Sequence, residues 1–115
     1  MRADEQLRIA TRWGPDRLIL ELDGELDITS SALLQQTLAE ANREPGSHTV
    51  VLDLRGLTFL DSTGLKAIFS ARKEVRERGQ QFAVTPGSEQ VQRLLSLTRL
   101  DEHLRTIDSP DALLA

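Results

Sequence analysis

The chain has 115 residues, 39% of them hydrophobic, enough for one core in one domain without covalent staples. It contains no Cys, two His, and 14 Lys and Arg against 18 Asp and Glu, for a net charge of −4. These figures exclude disulfides, thiolate metal sites and cysteine nucleophiles, and they weigh against a nucleic-acid binder, whose affinity rests on neutralising phosphates.

Leu7, Ile9 and Thr11 alternate with Arg8, Ala10 and Arg12; Leu18, Leu20 and Leu22 alternate with Ile19, Glu21 and Asp23. Period 2 over this length predicts two half-buried strands, joined as a hairpin across Trp13-Gly14-Pro15-Asp16. Trp13, beside that turn, reads as partial cover for the hairpin rather than a binding anchor. Gly24-Glu25-Leu26-Asp27 then closes the second strand as a turn. Its acids are either solvated turn residues or an exposed rim, Glu25 and Asp27, aimed at a basic partner. The first helix starts near Ile28-Thr29-Ser30-Ser31, whose hydroxyls can cap the first amides. Leu34, Leu38 and Ala41 share one face of it, and Glu44-Pro45-Gly46-Ser47 ends it.

Residues Thr49 to Leu54 are nearly continuously apolar and rich in β-branching, the pattern of a strand covered on both faces, with helices as the cover. After the strand-like Leu57-Thr58-Phe59-Leu60, a second helix begins at Asp61-Ser62-Thr63-Gly64. Leu65, Ile68, Phe69, Arg72 and Val75 fall at helical spacing, and Gly79 stops the helix. Its charges, Lys66, Arg72, Lys73, Arg76 and Arg78 against Glu74 and Glu77, read as a solvated face with i,i+3 and i,i+4 pairs. Gln81 to Val84 is another short strand, and Pro86-Gly87-Ser88 opens a third helix carrying Val91, Leu94, Leu95 and Thr98. Leu104 to Ile107 reads as a last edge strand and Pro110 to Leu114 as a closing turn of helix. The order β-β-α-β-α-β-α plus a tail, without repeats or a linker, predicts one α/β domain over residues 1–115, a small mixed β-sheet with packed α-helices. No apolar run reaches the ~18 residues of a membrane span, and MRADEQLRIA lacks the apolar stretch of a secretory signal. A cytoplasmic protein without membrane insertion is expected.

Asp61-Ser62-Thr63-Gly64 is the most informative stretch. Capping accounts for Asp61 or Ser62 singly, since either side chain can accept from amides that lack a carbonyl partner. Four small polar residues in a row exceed what one cap requires. A helix N-terminus also favours added negative charge, so a phosphoryl group on Ser62 is accepted there while changing local charge by about −1.5 to −2. Catalysis fits the sequence poorly. A serine nucleophile needs a base, a carboxylate of ordinary pKa is a poor one, and neither His48 nor His103 lies near Ser62 in sequence. No His, Asp or Glu set has metal-ligand spacing. Neither a cofactor nor a metal is expected.

The apolar strand, the Asp-Ser-Thr-Gly-Leu helix start and the upstream Gly-Glu-Leu-Asp together resemble a STAS domain, over roughly the whole chain and most closely the bacterial anti-sigma factor antagonists. The resemblance implies a non-enzymatic partner switch. Unphosphorylated, it binds an anti-sigma factor that is also a serine kinase, and a sigma factor is released; the kinase inactivates it on the serine after the aspartate, and a serine phosphatase restores it. It places phosphorylation on Ser62, with Thr63 a minor candidate, and partner contacts on Asp27, Asp61 and Gly64. Gly64-Leu65-Lys66 departs from the Gly-Leu-Gly of many members, which bears on partner identity. Two rival readings are an adaptor subunit of a lipid-transport or stressosome assembly, and a hydrolase or transferase using Ser62.

Overall fold

The two alternating runs form an antiparallel hairpin. In the computed structural model, which describes residues 6–97, 99 and 104–112, β1 (Leu7–Trp13) pairs with β2 (Arg17–Leu26), Trp13 opposite Leu18 and Leu7 opposite Gly24. The chain continues through α1 (Ser31–Ala41), β3 (Thr49–Leu60), α2 (Ser62–Glu77), β4 (Gln81–Thr85) and α3 (Glu89–Leu97). Sheet order is β1-β2-β3-β4, with β2–β3 and β3–β4 parallel, so the sheet is mixed as expected. Each parallel pair is joined by a helical crossover, the connection that parallel strands require.

Both central strands are longer than their composition suggested. The strand expected over residues 49–54 runs on to Leu60. Gly56 allows this, because a Cβ there would lie 1.9 Å from Asp23 Oδ1 and 2.8 Å from the Leu22 carbonyl. Gly24, Glu25 and Leu26, expected as a turn, are the last residues of β2, and they pair with Leu57, Phe59 and Leu60. Register shifts between Glu21 and Asp23 and between Gly24 and Glu25 bend the strand without ending it. At that bend Gly24 has φ +112°, a backbone state that favours glycine. The consequence is positional: β2 and β3 end side by side, at Leu26 and Leu60.

The core lies between one sheet face and the helices. Leu18, Leu20 and Leu22 of β2 and Val50, Leu52 and Leu54 of β3 join Leu34 and Leu38 of α1, Ile68 and Val75 of α2, and Val91 and Leu95 of α3. Ile19, read as the outer side of a half-buried strand, is fully buried. It clusters with Val51 and Ala83 on the opposite face, where among the described residues Ile107 of the tail packs against them. The tail segment is a single parallel bridge, Thr106 to Val84, with Val84 N donating to Arg105 O and Ile107 N to Val84 O, both 2.9 Å. Further on, Arg17 Nη1 donates to the carbonyls of Pro110 (2.9 Å) and Ala112 (2.8 Å), and Arg12 makes two bonds to Asp111. The closing turn is seen as Ala112 N donating to Ser109 O; Thr98, His103, Leu113 and Leu114 lie outside the described residues. Trp13 covers the hairpin end edge-on to His48, ring centroids 4.8 Å apart. Among the described residues no helix is long and apolar enough to cross a membrane.

Candidate functional site

Because Leu26 pairs with Leu60, the residues that follow them leave the sheet at one edge, Asp27 from β2 and Asp61 from β3. Asp61 N donates to the Leu26 carbonyl at 3.4 Å, tying the two exits together. The carboxyl ends of parallel strands are where open α/β sheets place their sites.

Asp27 organises its own turn. Its carbonyl accepts from Ser30 N (3.2 Å) and Ser31 N (2.9 Å), which opens α1. Its carboxylate accepts from Thr29 N at 2.9 Å and from Gln6 Nε2, and the Thr29 hydroxyl sits within reach of both that carboxylate and Gln6 Oε1. Ser30 Oγ accepts from Asp27 N at 3.0 Å and donates to the Glu25 carbonyl at 2.8 Å. The hydroxyl expected to cap α1 is therefore spent fastening the turn, and Ser30 makes no side-chain cap bond. Burial raises the Asp27 carboxyl pKa, but hydrogen bonds from Thr29, Gln6 and Ser30 outweigh it and hold the group below its ordinary value. The edge thus carries a fixed, half-buried anion.

Capping of α2 falls to Asp61. Its backbone is extended, with φ −109° and ψ −175°, and Oδ1 accepts from Gly64 N at 2.8 Å. Ser62 is therefore the first helical residue, exposed, with a hydroxyl that bonds to none of the described residues. Thr63 beside it is half-buried. Gly64 is buried, and a Cβ on it would lie 2.2 Å from the Leu26 carbonyl and 2.8 Å from Leu60 Cδ1. Its place in the site is structural: only a glycine lets the first turn of α2 rest on the end of β2. Lys66 is exposed one turn beyond Ser62.

Two groups of residues at this edge carried no local signal in the sequence. Gln6 reaches Asp27 only through the β1–β2 pairing. Ile28 (72% exposed) and Phe59 (40%) present apolar side chains beside the acids, whereas apolar residues near strand ends read from sequence as core. Leu60, Leu94 and Leu97 line a shallow groove of about 210 Å³ nearby. His48 is at the far end of the sheet, where its Nε2 meets Asn42 Oδ1 at 2.8 Å.

A family model for the STAS domain matches residues 7–112. An anti-sigma F factor antagonist of Paenibacillus polymyxa is 35% identical over 83 residues, which are 72% of this chain and 71% of that protein. An anti-sigma factor antagonist from Mycobacterium paratuberculosis has a crystal structure that superposes with TM-score 0.74 at 21% identity, covering 96% of this chain and 93% of that one. SpoIIAA, an anti-sigma factor antagonist solved in its unphosphorylated form, superposes with TM-score 0.70 at 16% identity over 86% of this chain and 87% of its own. At those identities the structural likeness is one of fold.

Proposed function

The chain belongs to the STAS domain family, and from that footing we propose that it acts in the cytoplasm as an anti-sigma factor antagonist switched by phosphorylation of Ser62. Unphosphorylated, it binds an anti-sigma factor serine kinase, which then releases its sigma factor. The kinase inactivates it with ATP at Ser62, Thr63 being a minor acceptor, and a serine phosphatase restores it. The protein is a binding module and does no chemistry of its own. The name of the Paenibacillus polymyxa relative supports this reading.

One observation carries it: the Ser62 hydroxyl is exposed at the first position of α2 and bonds to none of the described residues, while Asp61 does the capping. A kinase can take such a hydroxyl without unwinding the helix. The phosphoryl group adds about −1.5 to −2 charge at a helix N-terminus, whose amides and dipole favour anions, so the fold tolerates it. A partner face does not. A surface that fits neutral Ser62 between Asp61 and Asp27, with Ile28 and Phe59 as apolar contacts, must desolvate a dianion beside two carboxylates. A loss of ~3 kcal/mol there weakens binding by more than about a hundredfold. Gly64 acts from beneath, by setting the height of Ser62 above the sheet edge.

The test is phosphopeptide mapping after incubation with the cognate kinase and ATP, together with affinity capture using Ser62→Ala as bait. Ser62 should carry the principal modification, and a GHKL-type kinase should co-purify. A principal site elsewhere, or capture of transporter subunits instead, overturns the reading.

A further inference from the structure

Lys66 stands four residues after Ser62 on α2, and both side chains are exposed. The residues three and four away from it along the helix, where a pairing acid would stand, are Ser62, Thr63, Phe69 and Ser70. Among the described residues Lys66 forms no ion pair, whereas Lys73 on the same helix meets Glu77 at 4.0 Å, as the expected self-paired face requires. The helix dipole does not account for Lys66 either. It favours cations at the far end of α2, where Arg76 stands in the last turn. The first turn, where the dipole favours anions, contains no acidic residue. A cation without an acid and a helix start without one thus lie a single turn apart.

We propose that Lys66 is the counter-charge that holds the phosphoryl group on Ser62, a role that rests on Ser62 being the modified residue. The arrangement is an i,i+4 pair with its anion on the N-terminal side, the more favourable of the two orientations. Cβ atoms at that spacing are about 5–6 Å apart, and helical side chains lean toward the N-terminus. The Lys66 stem therefore runs back over the turn that begins at Ser62. An ammonium suits the task, because a compact charge on a flexible stem can follow a group that is present in one state and absent in the other. Around that turn Asp61 and Asp27 carry negative charge, and Arg93 of α3 lines the groove beside Leu60. The consequence is regulatory. Paired with Lys66, the phosphoryl group is held in one place along α2 and steadies the first turn, so modification alters the edge while stabilising the fold.

Phosphoserine installed at position 62 during synthesis of the full-length protein makes the test independent of any kinase. Its second ionisation, near about pH 6, is followed by phosphorus NMR at low ionic strength in wild type, Lys66→Gln, Lys66→Arg, Lys73→Gln and Arg93→Gln. Lys66→Gln should raise the midpoint by about 0.2–0.4 pH unit, because the dianion loses more attraction than the monoanion. Lys66→Arg should keep the wild-type midpoint, and Lys73→Gln and Arg93→Gln should move it by less than roughly half as much as Lys66→Gln. The Lys66→Gln shift should shrink at about 1 M salt, where charges are screened beyond about 3 Å. Thermal melts with serine or phosphoserine at position 62 give a second readout. The rise in Tm on phosphorylation should be smaller in Lys66→Gln than in wild type or Lys73→Gln. A midpoint unchanged by Lys66→Gln, shifted equally by Lys73→Gln or Arg93→Gln, or not kept by Lys66→Arg overturns the proposal. None of these outcomes bears on whether a kinase chooses Ser62, which phosphopeptide mapping decides separately.

Discussion

Asp61 caps α2 and so leaves the Ser62 hydroxyl to the proposed switch, which makes that switch separable from folding. Ser62→Ala should change unfolding free energy by no more than about 0.5 kcal/mol, because the cap is its neighbour, whereas Asp61→Ala should cost about 1 kcal/mol. Ser62→Asp should keep or slightly raise stability through the helix dipole yet lose partner affinity. Its single charge makes it an incomplete mimic of phosphate. Urea unfolding and kinase titrations on the same proteins decide this, and tight binding by Ser62→Asp would exclude charge at this position as the switch. Asp27 is different: it fastens its own turn as well as being a proposed partner contact. Its folded-state pKa is depressed, so its contribution to stability is fully present above the unfolded value, about 3.9, and is lost as pH falls through the lower folded one. The stability gap between wild type and Asp27→Asn should therefore be constant near neutrality and shrink on acidification below about pH 4. Paired urea melts from neutral to acid pH check it; a gap that stays constant means the Asp27 hydrogen bonds do not favour its ionised form.

The first turn of α2 lies on the carbonyl of Leu26 with no room for a methyl group, since a Cβ on Gly64 would sit 2.2 Å from that oxygen. Gly64→Ala should therefore destabilise the protein by about 1–3 kcal/mol through overpacking, despite alanine's better helix propensity. It should also weaken partner binding, because the helix lifts and carries Ser62 with it. A variant as stable as wild type would mean that α2 does not need this approach. The contact shows how far sequence reading reached. Alternation gave the hairpin, and Asp-Ser-Thr-Gly gave the start of α2, because both signals are local. Gly24 misled about strand length: glycine ordinarily marks a turn, and here it marks a bend between two paired strands, visible only once they pair. That Asp27 and Ser62 follow strand ends lying side by side depends on the same parallel pairing of Leu26 with Leu60. Ile107, a lone apolar residue between Thr106 and Asp108, gave no hint that it covers a sheet face.

Across the whole molecule, the two ends of β2 serve different purposes. Its last residue, Leu26, supports the site; its first, Arg17, holds the tail. The Arg17 guanidinium is almost fully buried, pairs with Asp16, and donates to the carbonyls of Pro110 and Ala112. That fastening keeps Ile107 over the apolar strip of Ile19, Val51 and Ala83. Arg12 reaches the same tail through Asp111, but both side chains are exposed, and exposed pairs contribute about 1 kcal/mol at most. Arg17→Ala should therefore cost about 2–4 kcal/mol, by deleting charged hydrogen bonds and leaving tail carbonyls without a donor, while Arg12→Ala should cost under about 1 kcal/mol. Hydrogen exchange locates the effect: the amides of Val84 and Ile107, which bond across the bridge, should exchange faster in Arg17→Ala and unchanged in Arg12→Ala. The nine steps of β2 put Ser62 about 30 Å from Arg17, so its phosphorylation rate should match wild type in both variants. Unaltered exchange at Val84 in Arg17→Ala would mean that the apolar contact of Ile107 alone secures the tail.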